Sequence, residues 1–100
     1  MENYLMENIS SKQRKEFERM AHDLEPVVII GANGANDGVV NMIDKCLNDH
    51  ELIKVKFNEF KDEKREITNN IVEQLNATLI RIIGNIAIIY RKKEEEDKKK

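Results

Sequence analysis

Cysteine is nearly absent from this 100-residue chain, and the single Cys46 has no partner for an intramolecular disulfide. No CxxC and no Cys/His cluster at zinc spacing occurs, so a disulfide framework and a structural zinc site are excluded and a reducing cytoplasm is the expected home. Tryptophan is missing, proline occurs once (Pro26), and aromatic residues make up only 5% of the chain. No apolar run approaches the roughly 20 residues that a membrane-spanning helix needs. The first residues, among them Glu2, Asn3, Glu7 and Asn8, are too polar for the core of a signal peptide. Neither membrane insertion nor secretion is expected. An excess of one charge is lacking too: 17 basic against 19 acidic residues leave a net of −2, so the overall charge does not advertise a polyanionic partner.

What is present suits one domain. Hydrophobic residues form 40% of the chain and charged ones 36%, which is too apolar and too balanced for a disordered polymer. A chain of this size can bury about two-thirds of its unfolded surface around a single core. Charge is concentrated at one end, where Arg91–Lys100 hold six basic and four acidic residues with no apolar anchor. The expected division is an N-terminal extension over 1–8, a folded domain over 9–91 and a charged, disordered tail over 92–100.

Periodicity orders the domain. Ser10 or Ser11 can cap a first helix whose Phe17, Met20, Ala21 and Leu24 recur at i, i+3, i+4, i+7. Val27–Ile30 is a β-branched run, apolar on both faces, and reads as a buried strand. Gly31-Ala32-Asn33-Gly34 turns the chain into a second helix capped by Asn36 or Asp37, with Val39, Ile43, Cys46, Leu47 and His50 on one stripe. From Ile53 the next strand alternates, Ile53, Val55 and Phe57 facing a core and Lys54 and Lys56 facing out. A third helix is expected over Glu63–Gln74, followed by strands Thr78–Ile83 and Ile86–Tyr90 joined by a two-residue Gly84-Asn85 loop. Ile83 then pairs with Ile86, which places Leu79, Arg81, Ile88 and Tyr90 on one face and Thr78, Ile80, Ile82, Ala87 and Ile89 on the other. The order α-β-α-β-α-β-β predicts an α/β fold, a small four-stranded mixed sheet packed with three helices.

The feature with most chemical content is Gly31–Gly34 between strand and helix. Glycines let a backbone approach a ligand closely, helix N–H groups attract phosphate, and a GxxG loop in this setting is how KH-type modules clamp a nucleic-acid backbone. The same glycines also suit a plain tight turn. The loop is neither a P-loop, for no Gly-Lys-Ser/Thr follows, nor a GxGxxG fingerprint. Lys12, Lys15 and Arg19 fall at i, i+3, i+7 on a helix face away from the apolar stripe, and Arg14 stands four residues before Glu18, the spacing of a helical ion pair. His22 and His50 lie at helix C-termini, where structural roles are expected. Cys46 reads as a buried small hydrophobe, and Tyr90 as a packing residue with Arg81 on its face. No nucleophile–base or carboxylate pair is evident, so no enzymatic activity, cofactor, metal or small-molecule substrate is expected.

Taken in order, Ala21-His22-Asp23-Leu24-Glu25-Pro26-Val27-Val28, Gly31-Ala32-Asn33-Gly34 with Gly38, His50-Glu51-Leu52-Ile53-Lys54-Val55-Lys56, Ile83-Gly84 and Tyr90-Arg91 resemble the CRM domain in its bacterial stand-alone, YhbY-like form. The resemblance covers 9–91. It implies an RNA-binding domain similar in its sheet to the C-terminal domain of initiation factor three, associated with precursors of the large ribosomal subunit. The implied RNA surface is Gly31, Ala32, Asn33 and Gly34, with Lys12, Lys15, Arg19, Lys54 and Lys56 as phosphate contacts. The loop departs from the family pattern in carrying no Lys or Arg, although Asn33 can donate to phosphate or base. The expectation is a monomeric, cytoplasmic, non-catalytic protein whose partner is ribosomal RNA. The alternative is a protein-interaction module in which the GxxG segment is only a turn.

Overall fold

The computed structural model describes residues 9–93, and the expected 1–8 extension and residues 94–100 of the expected tail lie outside that range. Within it the chain forms α1 (Ser11–Ala21), β1 (Val28–Ile30), α2 (Asp37–His50), β2 (Leu52–Phe57), a 3-10 turn (Lys61–Glu63), α3 (Lys64–Leu75), β3 (Thr78–Ile83) and β4 (Ile86–Tyr90). The sheet order is β1-β2-β4-β3, with β1 parallel to β2 and the other pairs antiparallel. The expected architecture, three helices on a four-stranded mixed sheet, is the one observed.

Two of the three helix starts are closed by a side-chain cap. The Ser10 hydroxyl accepts from the Gln13 amide and the Gln13 side chain accepts from the Ser10 amide, a reciprocal capping box. The Asn36 side chain accepts from the Val39 amide at 2.9 Å and so opens α2. α3 ends on Asn76 in the left-handed conformation, which asparagine tolerates better than most residues. At the hairpin, φ is positive at Gly84 and not at Asn85, which selects a type II′ turn.

Two apolar layers sandwich the sheet. Ile43 and Leu47 of α2 and Ile71 and Val72 of α3 pack on Ile30, Ile53, Val55, Phe57, Ala87 and Ile89. On the opposite face, Ala21 and Phe17 of α1 meet Leu52, Ile80, Ile88 and Tyr90, and the Phe17 and Tyr90 rings stack with centroids 4.3 Å apart.

Four expectations are corrected. A β-bulge between Leu79 and Arg81 gives β3 one extra residue, so Leu79 faces the α2/α3 layer while Ile80 joins Ile88 under α1. Arg14 does not pair with Glu18; its guanidinium donates to the carbonyls of Leu79 and Ile80 at 3.2 and 2.7 Å, and Glu18 instead meets Arg81 at 3.3 Å. α1 stops at Ala21, capped by His22, so of its apolar stripe Met20 and Leu24 stay exposed. β1 is an edge strand that α1 does not cover, and Ile29 is 54% exposed rather than buried.

Candidate nucleic-acid interface

The turn after β1 is closed by one backbone bond, from the Gly34 amide to the Gly31 carbonyl at 2.9 Å. Gly34 has φ +69°, which L side chains rarely adopt, whereas Gly31 lies outside that region and faces open space. Ala32 and Asn33 sit exposed at the tip, and among the described residues no protein group accepts a hydrogen bond from their amides. Neighbouring backbone donors without a protein acceptor can serve an anion. The α2 N-terminus beside them is less open to phosphate, because Asp37 already places a carboxylate in its first turn.

The turn is braced from below by residues 58–60. The Asn58 and Glu59 amides donate to the Ile30 carbonyl at 3.0 and 3.3 Å, which ties this segment to the end of β1. Phe60 follows with φ 57°, its ring against Gly34 and 40% of the residue exposed. Nothing in the sequence pattern marked Phe60; a lone aromatic in a charged loop has no periodicity to reveal it.

The five candidate cations divide by position. Lys56 is exposed on the uncovered half of the α1 face, and its cross-strand partners Ile29 and Ile86 lead on to Ile83, 53% exposed, in a single row across the sheet. Lys54, one pleat away on the same face, donates to the carbonyls of Leu24 and His22 at 3.0 and 3.4 Å and thereby caps the C-terminal end of α1. Lys12, Lys15 and Arg19 are exposed on α1. Arg14, which lies between the first two, anchors to β3, the sheet edge opposite β1. Lys12 and Lys15 therefore do not converge on the turn, and Lys56 is the cation that the sheet register brings toward it.

The remaining candidate side chains lie away from the turn. His22 caps α1 through its backbone amide, His50 is the last residue of α2, both with exposed side chains, and Cys46 packs half-buried against the core. Tyr90 stacks on Phe17, and burial first, then the Glu51 carboxylate, push its hydroxyl pKa above the ordinary 10.0. Arg91 does not begin a loose tail. Its guanidinium donates to the Asp44 carboxylate (2.8 Å), the carbonyls of Leu75 and Asp44 (2.9 and 3.0 Å) and the Asn48 amide oxygen (2.8 Å), joining α2 to α3. The Lys93 amide donates to the Glu51 carboxylate at 2.9 Å. Among the described residues no helix is long and apolar enough to cross a membrane, and no group of three His, Cys, Asp or Glu is arranged to hold a metal ion.

The chain is similar to several known proteins. A probable RNA-binding protein of Pseudomonas aeruginosa is 36% identical over 91 residues, spanning 90% of this chain and 88% of the relative. An RNA-binding protein of Haemophilus influenzae is 42% identical over 91 residues, spanning 90% and 92%. The solution structure of a hypothetical Staphylococcus aureus protein superposes with a TM-score of 0.74 at 34% identity, covering 87% of this chain and 92% of that one. The model of the CRS1/YhbY (CRM) domain matches residues 9–91, the whole span from the capping of α1 to the Arg91 clamp, and the chain belongs to that family.

Proposed function

We propose that this protein is a non-catalytic, monomeric RNA-binding protein of the cytoplasm that associates with precursor large ribosomal subunits and assists their assembly. The observation that carries the reading is the pair of unbonded amides at the exposed residues Ala32 and Asn33, in the turn closed by the Gly34–Gly31 backbone bond. These amides take an RNA phosphate, and Lys56 extends the contact along the sheet. Lys12, Lys15 and Arg19 add longer-range attraction from the α1 side, and Lys54 contributes charge while holding α1 in place. Two bacterial relatives are named for RNA binding. With a net charge of −2, the domain gains little from unspecific attraction, so shape-matched contacts on folded RNA supply most of the affinity.

Two experiments test this. Replacing both Ala32 and Asn33 by Asp sets carboxylates against the phosphate at exposed positions that the core does not use; the variant is expected to fold normally and lose RNA binding. A folded double variant with unchanged RNA affinity sinks the turn's role. Sedimentation of a native lysate on a low-salt gradient, with and without ribonuclease, tests the ribosomal part: the protein should travel with large-subunit precursors and return to the top after digestion. A protein-docking reading draws on one observation, the exposed groove lined by Met20, Leu24, Val27 and His50, and a ribonuclease-resistant, salt-insensitive protein complex would favour it.

A further inference from the structure

We propose that Phe60 is a stacking platform for one nucleobase of the RNA strand whose backbone rests on the Gly31–Gly34 turn; the inference builds on the RNA-binding reading above. The chain has three phenylalanines, and the other two are spoken for: Phe57 is in the core at 1% exposure and Phe17 stacks on Tyr90. Phe60 belongs to neither apolar layer and is 40% exposed. Its φ of 57° is one that bulky side chains rarely adopt. The conformation is imposed from both sides, by the Asn58 and Glu59 amides on the Ile30 carbonyl and by the Glu63 amide, which donates to the Phe60 carbonyl at 3.1 Å. Strain held by its surroundings is a mark of positions used for binding.

The ring is also in the right place. Its Cε2 and Cζ lie 3.4 and 3.7 Å from where a Cβ on Gly34 would stand, ordinary van der Waals distance, so ring and turn are neighbours on one surface. Charge then sorts the two halves of a nucleotide. Glu59, Asp62 and Glu63 flank Phe60 along the chain, with Lys61 among them and Lys64 and Arg65 beyond, and these near carboxylates disfavour a phosphate at the ring while an uncharged base is accepted. The phosphate goes to the free amides on the other side of Gly34. A base can reach the ring only from an unpaired strand, since base faces in a duplex are already stacked, and stacking on an aromatic face is tolerant of base identity.

The absence of tryptophan makes the test direct, because Phe60→Trp introduces the sole indole of the protein. Titrated with a short single-stranded oligoadenylate, that variant is expected to bind at least as tightly as the wild type, and its emission to quench in step with binding measured independently by anisotropy of labelled RNA. Phe60→Leu keeps an apolar contact with Gly34 but offers no π-face. It is expected to bind the oligoadenylate about tenfold more weakly, with unchanged affinity for inorganic polyphosphate and an unchanged urea midpoint. Emission indifferent to saturating RNA, or a Phe60→Leu variant of wild-type affinity, overturns the stacking role while leaving RNA binding standing. A wild-type chain that binds neither oligoadenylate nor ribosomal RNA overturns both.

Discussion

The Lys54 ammonium donates to the Leu24 carbonyl at 3.0 Å, across thirty residues of sequence. Lys54 and Lys56 share a strand and a face, so the same lysine-x-lysine pattern carries two jobs, one closing a helix and the other left open to solvent. Lys54→Ala is expected to lower stability by about 1 kcal/mol through the uncapped end of α1. Lys56→Ala should leave the urea midpoint within error, weaken RNA binding, and reduce the slope of log affinity against log salt by about 0.7. Equal effects of the two substitutions on both readouts would contradict this division.

Among the described residues Arg91 is the most heavily hydrogen-bonded side chain, 18% exposed and with its partners on α2 and at the end of α3. Arg91→Ala strands the Asp44 carboxylate and two carbonyls in a half-buried setting. The expected loss is about 2 kcal/mol, discounted from a fully buried pair because Asp44 is itself half exposed. That corresponds to a melting temperature about 10 °C lower. Arg91→Lys should recover under half, because one ammonium cannot span the acceptors that a guanidinium fork reaches. Chemical denaturation with both variants checks the order.

The two loop glycines should behave oppositely. Gly31→Ala adds a methyl group where nothing stands within 4 Å and φ is ordinary, so stability should hold or rise by about 0.5 kcal/mol as the unfolded chain loses freedom. Gly34→Ala forces an L residue to φ +69° and is expected to cost about 1 kcal/mol. Calorimetry of the two variants side by side decides it.

Tyr90 gives the fold an alkaline limit. Its pKa is raised in the folded state, by burial and by Glu51, so the folded protein holds the phenolic proton more tightly than the unfolded chain does. The contribution is fully present below the ordinary tyrosine value of 10.0. It is lost as pH rises through that value to the folded pKa, because ν of the native state exceeds that of the unfolded state in this window. Urea midpoints measured from neutral pH to beyond pH 10 should fall more for the wild type than for Tyr90→Phe. Parallel declines would show that other groups set the limit.

The elements of the fold were legible in the sequence wherever one periodicity dominated: the alternation through Ile53, Val55 and Phe57, the stripe of Val39, Ile43 and Leu47, and the Gly84-Asn85 turn all stand where the pattern put them. The bulge was not legible, since Leu79 and Ile80 are both apolar and either can face either layer. Helical spacing pointed Arg14 toward Glu18, but two edge-strand carbonyls far along the chain offered it better acceptors. Arg91 was concealed by the charge run that follows it, and Lys54 by its likeness to Lys56. At the candidate site the turn was visible from Gly31 and Gly34; that Phe60 braces it depends on a left-handed residue in a loop with no repeating pattern.

The strand order has a consequence for how the molecule comes into being. β4 is the last strand of the domain to leave a ribosome, yet it lies inside the sheet and supplies two of its three pairings, to β2 and to β3. A nascent chain that ends before Ile86 has nothing to join the β1–β2 pair to β3 and exposes both β2 and β3 as open edges, the arrangement most prone to mispairing with other chains. The sheet is therefore complete only once the β3–β4 hairpin lies beside β2, with Arg91 bonded to α2 and α3. The same arrangement makes the unfolding cooperative, because withdrawing one strand divides the sheet in two.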